Sequence, residues 1–325
     1  MALAARTRGV LLGLCAGLLL GSLTVSGRPL SQSLPPPAVA ALCYLVAGLL
    51  VGIVRLLLPS LAPSFAVRVR SDGRWRLPAS VGGRLRLCGS ILFGAVLGPL
   101  LLFIGLQQTT AGAAAVVLTA EVALTVIAAM ALLSERVGRT QGVGVALVLA
   151  ATLGVALSTR ASTGGLGSSV GNLLVLAAAV CWAADNTLTK GLATAEDQLG
   201  TIAIKGTVGG AALAIATLLG GLPLLPAMGL WPLLLAAGGL GVGASLVCYL
   251  AAVDRIGTLQ ATVLLATSGL CGALLAGAVG QEPLDAVAVA GGLAVVGGVV
   301  LLLAPDRGPS EGWRDDSTRG DSKDG

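Results

Sequence analysis

Residues 111–144 read AGAAAVVLTAEVALTVIAAMALLSERVGRTQGVG, and residues 258–291 read TLQATVLLATSGLCGALLAGAVGQEPLDAVAVAG. The two stretches align without a gap at an offset of 147. Ala114 meets Ala261, Val116 meets Val263, Leu118 meets Leu265, Glu135 meets Glu282, and Gly144 meets Gly291. Each stretch is an apolar run long enough to cross a bilayer core, then a short polar joint, then the start of another apolar run. A repeat of membrane-length runs belongs to carrier scaffolds more often than to enzymes.

The rest of the chain fits that reading. Hydrophobic residues make up 55% of it and charged residues 11%, where a soluble domain carries about 25% charged residues. Mean hydropathy is +0.94. Apolar runs predict ten membrane spans, at 8–26, 38–58, 87–107, 111–133, 139–158, 170–189, 201–222, 229–250, 258–279 and 285–304. The 48 glycines suit close helix packing in a membrane. The Gly-x-Gly strings near Gly142 and Gly239 follow no strand and open no phosphate loop, so they give no nucleotide site. The cysteines (Cys15, Cys43, Cys88, Cys181, Cys248, Cys271) form no Cys-x-x-Cys pair and read as small apolar residues. The chain has no histidine, which removes histidine triads and zinc-protease motifs. No cofactor or metal is expected. The net charge of +5 comes from membrane-flanking loops and does not point to nucleic acid.

Charge distribution sets the expected topology. With the N-terminus in the cytoplasm, the basic residues on the inner side are Arg6, Arg8, Arg55, Arg68, Arg70, Arg74, Arg76, Arg84, Arg86, Arg136, Arg139, Lys190, Lys205, Arg255, Arg307, Arg314, Arg319 and Lys323. Only Arg28 and Arg160 fall outside. The expected fold is therefore an all-α integral membrane protein, N-in and C-in. Its ten transmembrane helices form a five-plus-five repeat. Five spans per half is odd, so the second half enters the membrane in the opposite sense, an inverted-topology repeat. The halves divide as 1–160, which carries a long basic cytoplasmic loop at 59–86, and 161–304. Residues 305–325 form a polar cytoplasmic tail expected to be disordered. The N-terminal run resembles a secretory signal, but cleavage would leave nine spans and break the repeat.

At this point the chain resembles the EamA-type ten-span permeases of the drug/metabolite transporter superfamily. The halves of that family end with a span closing in Gly/Ser-Glu-Arg, then a glycine-containing span. Here these are Ser134-Glu135-Arg136 with Gly144, and Gln281-Glu282-Pro283 with Gly291, the second a Glu-Pro variant. The string from Cys181 to Lys190, CWAADNTLTK, looks like the Trp-x-x-Asp-Asn-x-Leu-Thr-Arg/Lys string of one bacterial branch. Lys205-Gly206 and the span-4 carboxylate Glu121 recur in that branch too. The resemblance covers residues 8–304. It implies a ten-helix bundle with alternating access and a central site between the halves. Relatives handle amino acids, other metabolites, sugars and toxic cations.

Ionisable groups inside a span cost several kcal/mol unless paired or hydrated. Glu121 near the middle of span 4, Asp185 in the inner half of span 6 and Lys205 in the first turns of span 7 are the candidates. In the functional reading, Glu121 and Asp185 line the cavity with Asn186 and Trp182, and one carboxylate binds a substrate ammonium or carries a coupling proton. In the structural reading, Asp185 and Lys205 form an internal ion pair and Asn186 satisfies backbone groups. Glu135, Arg136 and Glu282, at symmetric span ends, are capping or gate residues. Gln107 and Gln108 are interfacial.

The expected function is secondary transport, not enzymatic catalysis: export of a small polar metabolite or amino acid, with protons as a second cargo. Toxic cations or drugs and sugar-type solutes are the alternative cargoes, and a structural or lipid-handling membrane protein is the alternative outside transport. The expected partners are a small-molecule substrate, the lipid bilayer and protons, with a homodimer left open. The Ala/Gly/Arg-rich, lysine-poor composition suggests the cytoplasmic membrane of a bacterium with a GC-rich genome.

Overall fold

A computed structural model describes residues 2–61, 78, 80–133, 138–158, 166–190, 197–280, 283 and 285–302. These residues are helical or lie in short turns, and none forms a strand. Helices satisfy their own backbone groups, which a lipid-embedded chain requires. Nine helices are long and apolar enough to cross a membrane among the described residues: Arg6–Ser33, Pro36–Leu57, Val81–Leu106, Ala111–Ala128, Arg139–Leu157, Ser169–Thr189, Gln198–Leu219, Met228–Thr258 and Gln260–Ala278. A shorter apolar helix, Ala286–Leu302, follows. In chain order these are spans 1 to 10. Span 1 runs past its expected end at residue 26, through Pro29 to Ser33. Glu135, Arg136, Glu282 and residues 305–325 lie outside the described residues, as does most of the loop 59–86.

The repeat is visible in irregularities that periodicity alone would not place. Span 3 contains a π-helical segment, Ile91–Leu97, and span 8 contains another, Leu235–Ala244. At their ends Gly98 N–H donates to the Phe93 carbonyl and Ser245 N–H donates to the Leu240 carbonyl. Both positions of that bond shift by 147, the offset of the sequence alignment. Span 4 breaks between Ala111–Leu118 and Ala120–Leu133, and span 9 breaks at Thr267. At each break a threonine hydroxyl donates to the carbonyl three residues earlier, Thr119 to Val116 at 2.5 Å and Thr267 to Leu264 at 2.6 Å. Such back-bonding bends a helix. The threonines sit one residue off the 147 register.

Packing follows the same symmetry and runs mostly between halves. Span 2 lies along span 7, span 5 along span 10, and span 4 against span 9. Span 1 packs on spans 8 and 9, and span 6 packs on spans 3 and 4. The aligned glycines mark the closest of these approaches. A Cβ at Gly144 would stand 2.6 Å from both the Gly298 carbonyl oxygen and the Leu302 nitrogen. A Cβ at Gly291 would stand 2.5 Å from Val155 Cγ2 and 3.8 Å from the Ala151 carbonyl oxygen. Residues 151 and 155 are the 147-register equivalents of 298 and 302, so the two glycines make the same contact from opposite sides. Spans 8 and 9 are joined at Gly257, whose φ of 83° only glycine adopts without strain.

The cysteines are less scattered than their spacing suggests. Cys15 of span 1 and Cys248 of span 8 lie near each other, and both are free thiols.

Candidate functional site

Spans 3, 6 and 7 meet at Asp185. Lys205 Nζ donates to Asp185 Oδ1 at 2.5 Å and to Oδ2 at 2.7 Å. Ser90 Oγ donates to Oδ1, and Thr189 Oγ1 donates to the same oxygen at 3.1 Å. The Lys205 ammonium also reaches Thr189 Oγ1 at 3.4 Å. Asp185 and Thr189 are one turn apart on span 6, so they share a face. Both charged side chains are largely buried, 12% and 13% exposed. The pair is bidentate and supported by hydroxyls, the arrangement a buried ion pair needs to offset desolvation.

The π-helical segment of span 3 makes room for this cluster. Gly94 lies against the Asp185 carboxylate, and any side chain there would overlap it. The Gly94 carbonyl accepts from the Trp182 indole N–H at 2.9 Å, and Gly98 faces the same indole. A π-bulge leaves backbone carbonyls free for such partners and recurs at functional sites.

Glu121 stands apart from the ion pair, two residues past the break in span 4. Its Oε1 accepts from Asn186 Nδ2 at 2.7 Å, and Asn186 also reaches Thr125 Oγ1 at 3.4 Å. Asn186 therefore serves a carboxylate and a hydroxyl, not the backbone groups expected of it. Asp185 and Lys205 both act electrostatically on Glu121. So the expected residues Glu121, Trp182, Asp185, Asn186 and Lys205 come together between the halves. Asp185 is the carboxylate paired with lysine, and Glu121 is the one held by an amide.

The chain has two tyrosines, and both lie within electrostatic range of Glu121. Tyr44 of span 2 is beside Trp182 and within electrostatic reach of Asp185 and Glu121. Tyr249 of span 8 is within reach of Glu121, with its hydroxyl 3.2 Å from Thr262 Oγ1.

Polar closures lie toward both ends of the bundle. On the Lys205 side, Arg55 of span 2, 2% exposed, donates to Asp197 Oδ2 at 2.6 Å. Asp197 also caps span 7 through Gly200 N–H at 2.8 Å. Eight residues separate Asp197 from Lys205, about 12 Å of helix. On the other side, Thr109 Oγ1 donates to Asn172 Oδ1, and Asn172 Nδ2 donates to the Ala156 carbonyl at 3.1 Å. Nearby, Arg28 Nε donates to the Thr109 carbonyl at 2.9 Å and Gln107 Nε2 to the Ser31 carbonyl at 2.7 Å.

Two stretches, 7–157 and 169–304, each match the EamA-like transporter family. The chain belongs to that family. It is 26% identical over 272 residues to an uncharacterized transporter of the archaeon Methanothermobacter thermautotrophicus, covering 83% of this chain and 79% of the relative. The fold is similar to a crystal structure of another protein at a TM-score of 0.63 and 20% identity, covering 91% of this chain and 96% of that one. This EamA-like chain is thus a multi-pass membrane protein of a transporter family.

Sequence reading had not singled out Tyr44, Ser90, Thr189, Tyr249 or the Arg55–Asp197 pair as site residues. The scarcity of aromatic residues, 3% of the chain, was the available signal for the tyrosines. An arginine inside an apolar run is the signal for Arg55, one of the basic residues expected on the inner side.

Proposed function

We propose that this chain is a secondary transporter of the bacterial cytoplasmic membrane. In this reading it exports a small polar solute by alternating access between its two halves, in exchange for protons carried on Glu121. The observation that carries the reading is the charge count of the central cluster. Glu121, Asp185 and Lys205 are two carboxylates and one ammonium, and the ammonium is bound to Asp185. Among the described residues of the cluster, Glu121 ionised leaves one uncompensated negative charge within the membrane, which is costly. A proton or a substrate cation on Glu121 removes that charge, and the two exclude each other. Mutually exclusive occupancy of one carboxylate is sufficient to couple the flux of one to the other. Amino acids and organic cations, two cargoes the sequence left open, both offer an ammonium for Glu121. Asp185–Lys205 then serves as a fixed internal pair, and Arg55–Asp197 closes the inner end of the interface between spans 2 and 7. Glu135 and Glu282, at the ends of symmetric spans, act as caps or hinges.

The test is transport in proteoliposomes under an imposed pH gradient, with a panel of amino acids, amines and sugars. Wild type is expected to give a substrate-dependent, pH-driven flux, and Glu121→Gln is expected to lose the pH drive by at least about ten-fold. Flux insensitive to both pH and Glu121→Gln would overturn the coupling role.

A further inference from the structure

We infer that the site recognises an organic amine that lacks a carboxylate, in preference to the matching amino acid. The inference rests on the reading above, in which the Glu121 cluster is the transport site. Its basis is the balance of donors and acceptors. An ammonium has three N–H donors, and those of Lys205 are directed at Asp185 Oδ1, Asp185 Oδ2 and Thr189 Oγ1. The Trp182 indole N–H is bound to the Gly94 carbonyl. The Asn186 amide is turned to Glu121 and Thr125. The Ser90 hydroxyl is bound to Asp185. Among the described residues, the ammonium, indole and amide donors of the cluster are thus already engaged with protein acceptors, and what remains is neutral hydroxyl.

Acceptor capacity is left over. A carboxylate offers about four lone-pair positions, and among the described residues Asn186 is the side-chain donor to Glu121. Tyr44 and Tyr249 lie within electrostatic range of the same carboxylate. Excess acceptors and a net negative charge describe a site for a cation. Among the described residues the carboxylate of an amino acid would find no available cation in the cluster, and it could gain Lys205 only by breaking the bidentate pair with Asp185.

Phenethylamine and phenylalanine differ by a single carboxylate and supply the test. Binding of each to the purified full-length protein is measured by calorimetry at pH 8, and uptake of each is followed in proteoliposomes. Wild type is expected to bind phenethylamine about 30-fold or more tightly than phenylalanine, because the amino acid buries an unpaired charge. Glu121→Gln is expected to abolish that preference. Asp185→Asn frees Lys205 and is expected to narrow the ratio toward one. The wild-type ratio decides the matter even where Asp185→Asn fails to fold. Equal or tighter binding of phenylalanine, or binding of neither compound, overturns the inference. Phenethylamine bound selectively but not moved across the membrane upholds the site chemistry and overturns the transport reading instead.

Discussion

At residue scale, the decisive difference is between two carboxylates of the same chemistry. Asp185 has its charge matched by Lys205 and its oxygens served by two hydroxyls. Glu121 has an amide. Removing one partner of a buried pair leaves an uncompensated charge and costs about 3–5 kcal/mol, whereas reversing the pair preserves neutrality. Asp185→Asn and Lys205→Met are each expected to lower the melting temperature of the detergent-purified protein by roughly 5–10 °C. The double variant Asp185→Lys/Lys205→Asp is expected to recover more than half of that loss. Equal losses in single and double variants would show that the pair does not hold spans 6 and 7. Glu121→Gln removes a charge that has no lysine partner of its own among the described residues, so its melting temperature is expected to stay near wild type while coupling is lost.

At the scale of elements, glycines divide by what they face. Gly298 in span 10 meets Val148 and the Gly144 carbonyl of span 5, whereas its neighbour Gly297 has nothing within 4 Å. Gly298→Ala forces two backbones apart and is expected to cost about 1–3 kcal/mol. Gly297→Ala adds a methyl in open space and is expected to leave stability unchanged or slightly raised. Thermal melts of the two variants in one detergent check this, and equal effects would remove close packing as the reason for Gly298. The π-helical segments and the threonine breaks belong to the same scale. They interrupt spans 3, 4, 8 and 9 at symmetric places, so that Gly94 can approach Asp185 and Glu121 follows directly on a bend.

At the scale of the whole molecule, each half covers the other. Spans 1, 2, 4, 5 and 6 all find major partners across the repeat boundary, so neither half encloses the charged cluster by itself. Residues 1–160 and 161–325, expressed as separate fragments, are expected to accumulate and co-purify only when produced together. Full recovery of either fragment alone would contradict an interleaved bundle. Reporter fusions at residue 1 and residue 325 are both expected to read as cytoplasmic, as the excess of arginine and lysine on one side requires. An external C-terminus would remove the inverted relation between the halves.

Class, span number and repeat are legible in the sequence, because bilayer thickness imposes a length and because the two halves share a register. Glu121, Asp185 and Lys205 were legible for a related reason, since a charge in an apolar run stands out against its surroundings. Their division of labour was not legible. Nothing in one dimension says that Lys205 turns to Asp185, that Asn186 turns to Glu121, or that Ser90, Tyr44 and Tyr249 arrive from three other spans. Such pairings depend on the rotation of each helix about its own axis. Hydropathy constrains that rotation weakly in a lipid-embedded bundle, where the outward face is as apolar as the inward one. Close backbone contact between helices, made possible at Gly144, Gly291 and their partners, decides it instead.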